Sequence, residues 1–599
     1  MTTTSSVLAG SVLEREIELE TKAIQDGVVR YRHMVNEATR RGEASTLKPA
    51  ERLLAHWYDV FAWSVNEHKR AVMAGEAGRH YARVRPVFDE IDCESIAVIV
   101  MHEAVSACIL EPSGCSYVKL VHAIGASVVA EINTRILKET GRWDDFTKRY
   151  RVYNERRLNA WTKKNVDESM KDRRGALLLG AVLLDTLIET AADNDYGEKF
   201  SPAFVRDTKY RGKRTTYKLR LSDAALALID DGHRQRQFLR PKYLPMVVRP
   251  YQLSKESQNQ YVKVRAPLVA KLRKEQKKPL READLSTTWA SIYALSGTPW
   301  RVNADVLRVQ RLVWESGGGA VGIPHHDDKP FGEKPHDFDD NFEARDGWKL
   351  EAARTHRENV MRASRRAEYH MGQAVVDLFE NEPEWYLPHY VDFRGRGYPI
   401  PTHLNHHGND VYRGIMEFAR PAEVAGDAVD WLLIHAANCA GHDKLTYAER
   451  VEWTSDHLGQ VADTVRDPMD STWWMEQENP WQFLAACYAI VDPARGAHLP
   501  VQLDGTCNGL QHFAALGRDA RGAAAVNMMP SERPSDIYTL VANEVARRVG
   551  EDDSDIARRV ASLVSRKVVK QTVMTTPYGV TEVGARGQVR NRLRELGLE

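Results

Sequence analysis

The sequence is poor in cysteine and has no close Cys-x-x-Cys pair. Its six cysteines (Cys93, Cys108, Cys115, Cys439, Cys487 and Cys507) are scattered over 599 residues. That spacing argues against a disulfide framework or a zinc knuckle and points to a reduced, cytoplasmic setting. Net charge is also lacking, because 83 Lys and Arg balance 83 Asp and Glu. The whole chain is therefore no polycation, and any nucleic-acid surface must be local. No long apolar run is present. The cleanest, Gly175 to Leu184, stops at Asp185, well short of the ~20 residues that a membrane span needs. Met1 to Leu19 has no basic region followed by an apolar core, so neither a secretory signal nor a membrane partner is expected. Internal repeats and low-complexity tails are missing too, which leaves ordinary globular domains, about three or four at ~100–200 residues each.

What is present up to about Trp314 reads mainly as amphipathic helices. Ala50 to Arg70, for example, carries Leu53, Leu54, Trp57, Val60, Phe61 and Val65 at helical spacing. Between Glu315 and Gly347 the pattern dissolves into Gly317-Gly318-Gly319, prolines and a run of Asp, Glu and His, the composition of a surface connection. The triple glycine lacks the Gly-Lys-Ser/Thr ending of a phosphate loop. His325-His326-Asp327-Asp328 invites a metal, but adjacent residues do not readily converge on one ion and no second ligand cluster accompanies them. Leu350 to Glu380 is helical again and carries Arg354, Arg357, Arg362, Arg365 and Arg366, the last three sharing a face. Beyond Glu384 short apolar runs alternate with turns before helices return at Pro534, which predicts a mixed α/β core. Two basic segments, Arg206 to Arg220 and Lys263 to Arg281, fit either a solvated face or a nucleic-acid contact.

Three stretches carry chemistry. In the first, Leu499 to Phe513, an apolar strand is expected to deliver Asp504 at its end, Gly505 lets the backbone approach a ligand, and a helix comes next. A strand-end carboxylate can hold Mg²⁺ against phosphates. In the second, Arg566, Lys570, Met574 and Tyr578 recur every four residues along one helical stripe. Two cations, a thioether and an aromatic in that order match a nucleoside triphosphate laid lengthwise, with phosphates at the cations and sugar and base at Met574 and Tyr578. The third, Tyr390 to Pro399, projects Arg394 and Arg396 from a glycine-rich loop suited to a phosphate backbone. Taken singly, each also fits a plain structural role: a turn cap, an amphipathic helix with basic residues outside, and a turn.

Together and in this order, the stretches resemble the single-subunit DNA-directed RNA polymerases of bacteriophages and mitochondria. Asp392-Phe393-Arg394-Gly395-Arg396 is similar to the family's Asp-x-x-Gly-Arg element, Asp504 to His512 to its palm motif A, and Arg566 to Gly579 to its fingers motif B. Ile434 to Gly441, Ser471 to Trp474 and Asp536-Ile537-Tyr538 resemble further family stretches. The resemblance implies a right-hand polymerase, mainly α with an α/β palm. Its expected parts are a helical N-terminal, promoter-binding domain (1–315), a linker (316–345), a thumb (346–382), the first part of the palm (383–520) and incomplete fingers (521–599).

The resemblance further implies Asp504, with Gly505, as a Mg²⁺ site, Lys570 as the catalytic lysine, Arg566 on the phosphates and Tyr578 by the incoming sugar. Met574, Gly509 and Tyr538 would complete the nucleotide contacts. Arg394 and Arg396 would touch the template strand or hybrid, and Arg79, Arg83 and Arg85 would lie where a loop reads the minor groove of promoter DNA. The implied partners are promoter DNA, template, nascent RNA and nucleoside triphosphates. Gly509, where family A DNA polymerases carry a glutamate that excludes a 2′-hydroxyl, favours ribonucleotides. Two departures stand out. Pro577 replaces the usual small apolar residue before Tyr578, so the helix is expected to end or kink there. The stretch after motif B, with its His-Asp-Ser and second metal-binding aspartate, is not in the 599 residues, which implies either the large N-terminal piece of a split enzyme, with a second polypeptide carrying the rest, or a truncated product inactive alone. A catalytically inactive DNA-binding protein derived from such a polymerase is the alternative, with a family A DNA polymerase behind it.

Overall fold

The computed structural model describes residues 2–78, 83–149, 155–166, 173–195, 199–211, 214–238, 241–254, 259–266, 268–269, 272–392 and 395–597. The chain is mainly α-helical with small antiparallel sheets. It divides into two compact units, one of Met1–Glu20 with Tyr243–Glu599 and one of Thr21–Lys242. The division thus falls at other places than the boundary expected near residue 315. Strand Pro299–Val302 and helix Ala304–Glu315 lie in the larger unit, where the strand pairs with Met416–Phe418 on one edge and Trp385–Tyr386 on the other.

In the Thr21–Lys242 unit, helices Lys48–Ala74, Cys93–Leu110, Tyr117–Glu139 and Arg173–Thr190 pack around Trp57, Phe61, Ile96, Val100, Ile124 and Leu183. The apolar stripe of the first helix is buried as its spacing predicts, except Val60, which is exposed. Cys93–Leu110 and Tyr117–Glu139 are long and apolar enough to cross a membrane by length and composition alone. Both instead supply buried side chains to this core. The region is mainly helical, as its periodicity predicts, but it also holds strands. The described residues of the basic stretch 206–220 lie in an antiparallel ribbon, Phe204–Arg211 paired with Arg214–Leu221, and Cys115–Ser116 adds a third short strand. The residue types explain it: β-favouring Thr208, Tyr210, Thr215 and Tyr217 share one face of the ribbon with Phe204, Leu219 and Leu221, and that face is buried at Phe204, Leu219 and Leu221 and exposed toward the tip.

In the larger unit, Glu16 and Glu20 of the first helix are buried and collect backbone N–H donors from the segment after Tyr243. Val247 and Val248 donate to Glu16, and Val262, Lys263 and Val264 to Glu20. Hairpin His389–Val391/Gly397–Pro399 carries Asp392 and Arg396 between its strands. Helices Asp427–Cys439, Tyr447–Asp456, Leu458–Arg466 and Pro480–Val491 enclose a core with Trp474, Trp481 and Phe483 fully buried.

The connection after Glu315 is tied down on helix Phe342–Phe379. Arg362 donates to the Asp327 carbonyl, and Arg366 to the His325 carbonyl and, at 2.6 Å, to the Asp328 carboxylate. The glycines make its turn possible: Gly317, Gly318 and Gly319 all have positive φ, and a Cβ on Gly318 would lie 2.1 Å from the Pro324 carbonyl oxygen.

Candidate functional site

The strand expected to end at Asp504 is not formed. Residues 499–505 are irregular, and among the described residues no strand pairs with them. An extended segment becomes a strand only where a neighbour completes the hydrogen-bond ladder. Asp504 is nonetheless presented outward, its Oδ1 accepting the Gly505 N–H at 2.8 Å. After it Cys507 takes a left-handed conformation (φ 53°) and starts helix Asn508–Gly517.

Two chains of contact lead from this turn. The first runs through Tyr538, a buried residue whose phenol interacts electrostatically with the Cys507 thiol. Burial, then the neighbouring Cys507 thiol, pushes the Tyr538 phenol up to about 12. Its ring lies 5.5 Å from the Arg566 guanidinium carbon and 5.7 Å from Lys570 Nζ, so both cations meet one aromatic ring. Arg566 Nε also donates to Asp536, which caps helix Ile537–Gly550 by accepting from the Tyr538 and Thr539 N–H groups.

The second chain runs through Gly509. A Cβ there would stand 2.8 Å from Cβ of Pro577 and 3.8 Å from Cζ of Tyr578. Helix Arg566–Thr575 ends before Pro577 as expected and tightens into a 3₁₀ turn, Thr576–Tyr578. The half-exposed Tyr578 hydroxyl accepts from Arg396 Nη2, and the Arg396 guanidinium carbon sits 5.6 Å from the Tyr578 ring. Arg396 is held in turn, its N–H donating to the Asp392 carboxylate at 3.1 Å.

Asp504, Gly509, Tyr538, Arg566, Lys570, Tyr578 and Arg396 therefore belong to one connected locality. Met574 is 42% exposed on the same helix. Arg394 and Arg79 lie outside the described residues. Arg83 and Arg85 are exposed in the Thr21–Lys242 unit, where the Arg83 carbonyl lies against Gly175.

The sequence reading missed Asn527. Its Nδ2 donates to Thr506 Oγ1 at 2.9 Å and to the Ser535 carbonyl at 2.8 Å, and its Oδ1 accepts the Ser535 N–H at 2.6 Å. The residue thus clasps the Asp504 turn to the segment leading into Asp536, with φ 58°. An Asn before Met-Met-Pro was the available signal, since Asn tolerates the left-handed region and bonds locally.

Among the described residues no group of three or more His, Cys, Asp or Glu gathers as a metal site. Asp504 and the Gly505 carbonyl still suit Mg²⁺, which is commonly bound through one or two carboxylates together with waters and substrate phosphates. The exposed Asp504 carboxylate retains acceptor capacity beyond its bond to Gly505.

Residues 422–599 match the family model of DNA-dependent RNA polymerase, and residues 15–293 match that of the DNA-directed RNA polymerase N-terminal region. The chain is 31% identical to DNA-directed RNA polymerase 2, chloroplastic/mitochondrial, of Arabidopsis thaliana, over 97% of this chain and 63% of the relative. It is 30% identical to the mitochondrial polymerase 1B of Nicotiana tabacum (98% and 63%). The same identity holds for the chloroplastic polymerase 3B of that plant (98% and 65%). The chain thus spans less than two thirds of these relatives. They are organellar by name, whereas cysteine usage alone suggested a cytoplasmic setting.

Proposed function

The chain belongs to the single-subunit DNA-directed RNA polymerases, and from that premise we propose that it serves template-directed ribonucleotidyl transfer to an RNA 3′ end. The observation that carries this is the convergence of four distant segments. Cys507 meets Tyr538, Tyr538 meets Arg566 and Lys570, and Gly509 meets Pro577 beside a Tyr578 held by Arg396.

In this proposal a 3′-hydroxyl attacks the α-phosphate in line and pyrophosphate leaves. Lys570 neutralises or protonates the leaving pyrophosphate, and Arg566 joins it on the phosphates by exchanging Asp536 for a phosphate oxygen. Tyr578 and Met574 border the sugar and base. Mg²⁺ at Asp504 and the Gly505 carbonyl would supply positive charge against the phosphate oxygens. Arg396, with Arg394, contacts the template strand or hybrid, and Arg79, Arg83 and Arg85 contact upstream duplex DNA. The thumb, palm and fingers then correspond to 346–382, 383–520 and 521–599, with 1–315 upstream of them.

Replacing Asp504 by Asn tests this. In a reconstituted, active enzyme Mg²⁺-dependent nucleotide binding and RNA extension should be lost, while duplex DNA binding, which rests on Lys and Arg contacts elsewhere, should stay within about twofold. Wild-type nucleotide binding and extension by Asp504→Asn would refute the assignment.

A further inference from the structure

A glycine at 509 would leave room for a ribose 2′-hydroxyl, but the structure puts something else there. The direction in which a side chain would leave Gly509 is filled by the Pro577 ring, 2.8 Å from the Cβ position at its own Cβ and 3.1 Å at its Cγ. Proline cannot swing away as a flexible side chain does, because its ring is closed on the backbone. The missing side chain at 509 therefore seats residue 577.

Pro577 also fixes the path of the next residues. Without an N–H it cannot extend the ladder of helix Arg566–Thr575, and the chain turns through Thr576–Tyr578 instead. The turn is closed by the Gly579 N–H on the Thr576 carbonyl at 3.0 Å, with Gly579 at φ 78°. Tyr578 emerges beside Gly509 with its hydroxyl on Arg396. One rigid ring thus sets the distance between helix Asn508–Gly517 and the tyrosine.

Building on the nucleotide reading of this site, we infer that Pro577 forms the wall met by the sugar of the incoming nucleotide and is a specificity-determining residue for ribose against deoxyribose. Residue 509 acts through it. Because the ring holds Tyr578 in place before any nucleotide arrives, the choice between the sugars is set in the free protein.

The test uses the full chain with Mg²⁺ and fluorescence anisotropy of ATP and 2′-deoxyATP, each labelled on the γ-phosphate. In Pro577→Ala the ratio of the two affinities should move toward one by about tenfold, the lower end of what a single missing apolar contact supplies. Gly509→Ala should weaken both nucleotides and lower the thermal midpoint, because its methyl collides with the ring. The double variant Gly509→Ala/Pro577→Ala should recover most of the midpoint, since the methyl then enters space the ring has left. An unchanged ratio in Pro577→Ala with binding intact would overturn the inference alone, as would a double variant no more stable than Gly509→Ala. Failure of the wild-type chain to bind either nucleotide would remove the nucleotide reading, and the inference with it.

Discussion

Arg566 donates to the carboxylate of Asp536, so the guanidinium assigned to the triphosphate already has an anionic partner. A phosphate must compete with that carboxylate. Asp536→Asn keeps a good helix cap while removing the competing charge, and it should tighten triphosphate binding severalfold at low salt. Asp536→Ala should instead cost about 1 kcal/mol of stability through the lost cap. Nucleotide titration and urea denaturation of the two variants separate the effects. Burial alone would push the Asp536 carboxyl up, but Arg566 and Thr539 outweigh it and hold it below the usual range. The stability it adds is therefore present above the ordinary carboxylate value of about 4 and lost as the pH falls below that.

Asn527 allows backbone conformation and hydrogen bonding to be told apart. Asn527→Gly keeps the left-handed backbone but loses the bonds to Thr506 and Ser535. It should cost about 2 kcal/mol. Asn527→Ala should cost about 1 kcal/mol more, because alanine is strained at positive φ. Both are read from denaturant midpoints, and equal losses would show that the backbone conformation is unimportant there.

Glu16 gives a pH dependence of opposite sign to Asp536. Burial, with the Glu20 charge beside it, raises its carboxyl to about 8. The folded chain holds this proton more tightly than the unfolded chain. Stability should fall as the pH rises from the unfolded value of about 4.5 to about 8, by an amount on the order of a few kcal/mol. Glu16→Gln should flatten that slope in thermal melts between those limits. A wild-type slope unchanged in the variant would contradict the assignment.

Gly175 supports the segment that bears Arg83 and Arg85. A Cβ there would fall 2.1 Å from the Arg83 carbonyl oxygen, and backbone cannot yield as a side-chain tip does. Gly175→Ala should destabilise the chain by about 1–3 kcal/mol. If the two arginines contact duplex DNA, the variant should also weaken that binding at temperatures where it remains folded.

Much of the site was legible because its elements are local. Helix Arg566–Thr575 is set by its own residues, and Pro577 announces its end. The burial of Leu53, Trp57, Phe61 and Val65 comes from their spacing along one helix. What the sequence withheld depends on pairing across distance. Residues 499–504 have the apolar content of a strand, yet strand formation is decided by a neighbour. In the ribbon 204–221 the density of Lys and Arg hid the alternation of Phe204, Leu219 and Leu221. The seat of Pro577 on Gly509 joins positions 68 residues apart by their numbering, and neither residue type reveals the other.

The connection tied to helix Phe342–Phe379 bears on how the protein would respond to salt. Counterions leave DNA in proportion to the phosphates a protein neutralises, and each such contact steepens the fall of affinity with ionic strength by a slope of about 0.9 on logarithmic axes. Arg362 and Arg366, on the most basic face of that helix, already donate to oxygens of Asp327, His325 and Asp328. Their guanidinium groups enter the complex with partners of their own. In the proposed contact with DNA, the salt slope should accordingly be shallower than the number of arginines on that helix suggests, and Asp328→Asn should steepen it.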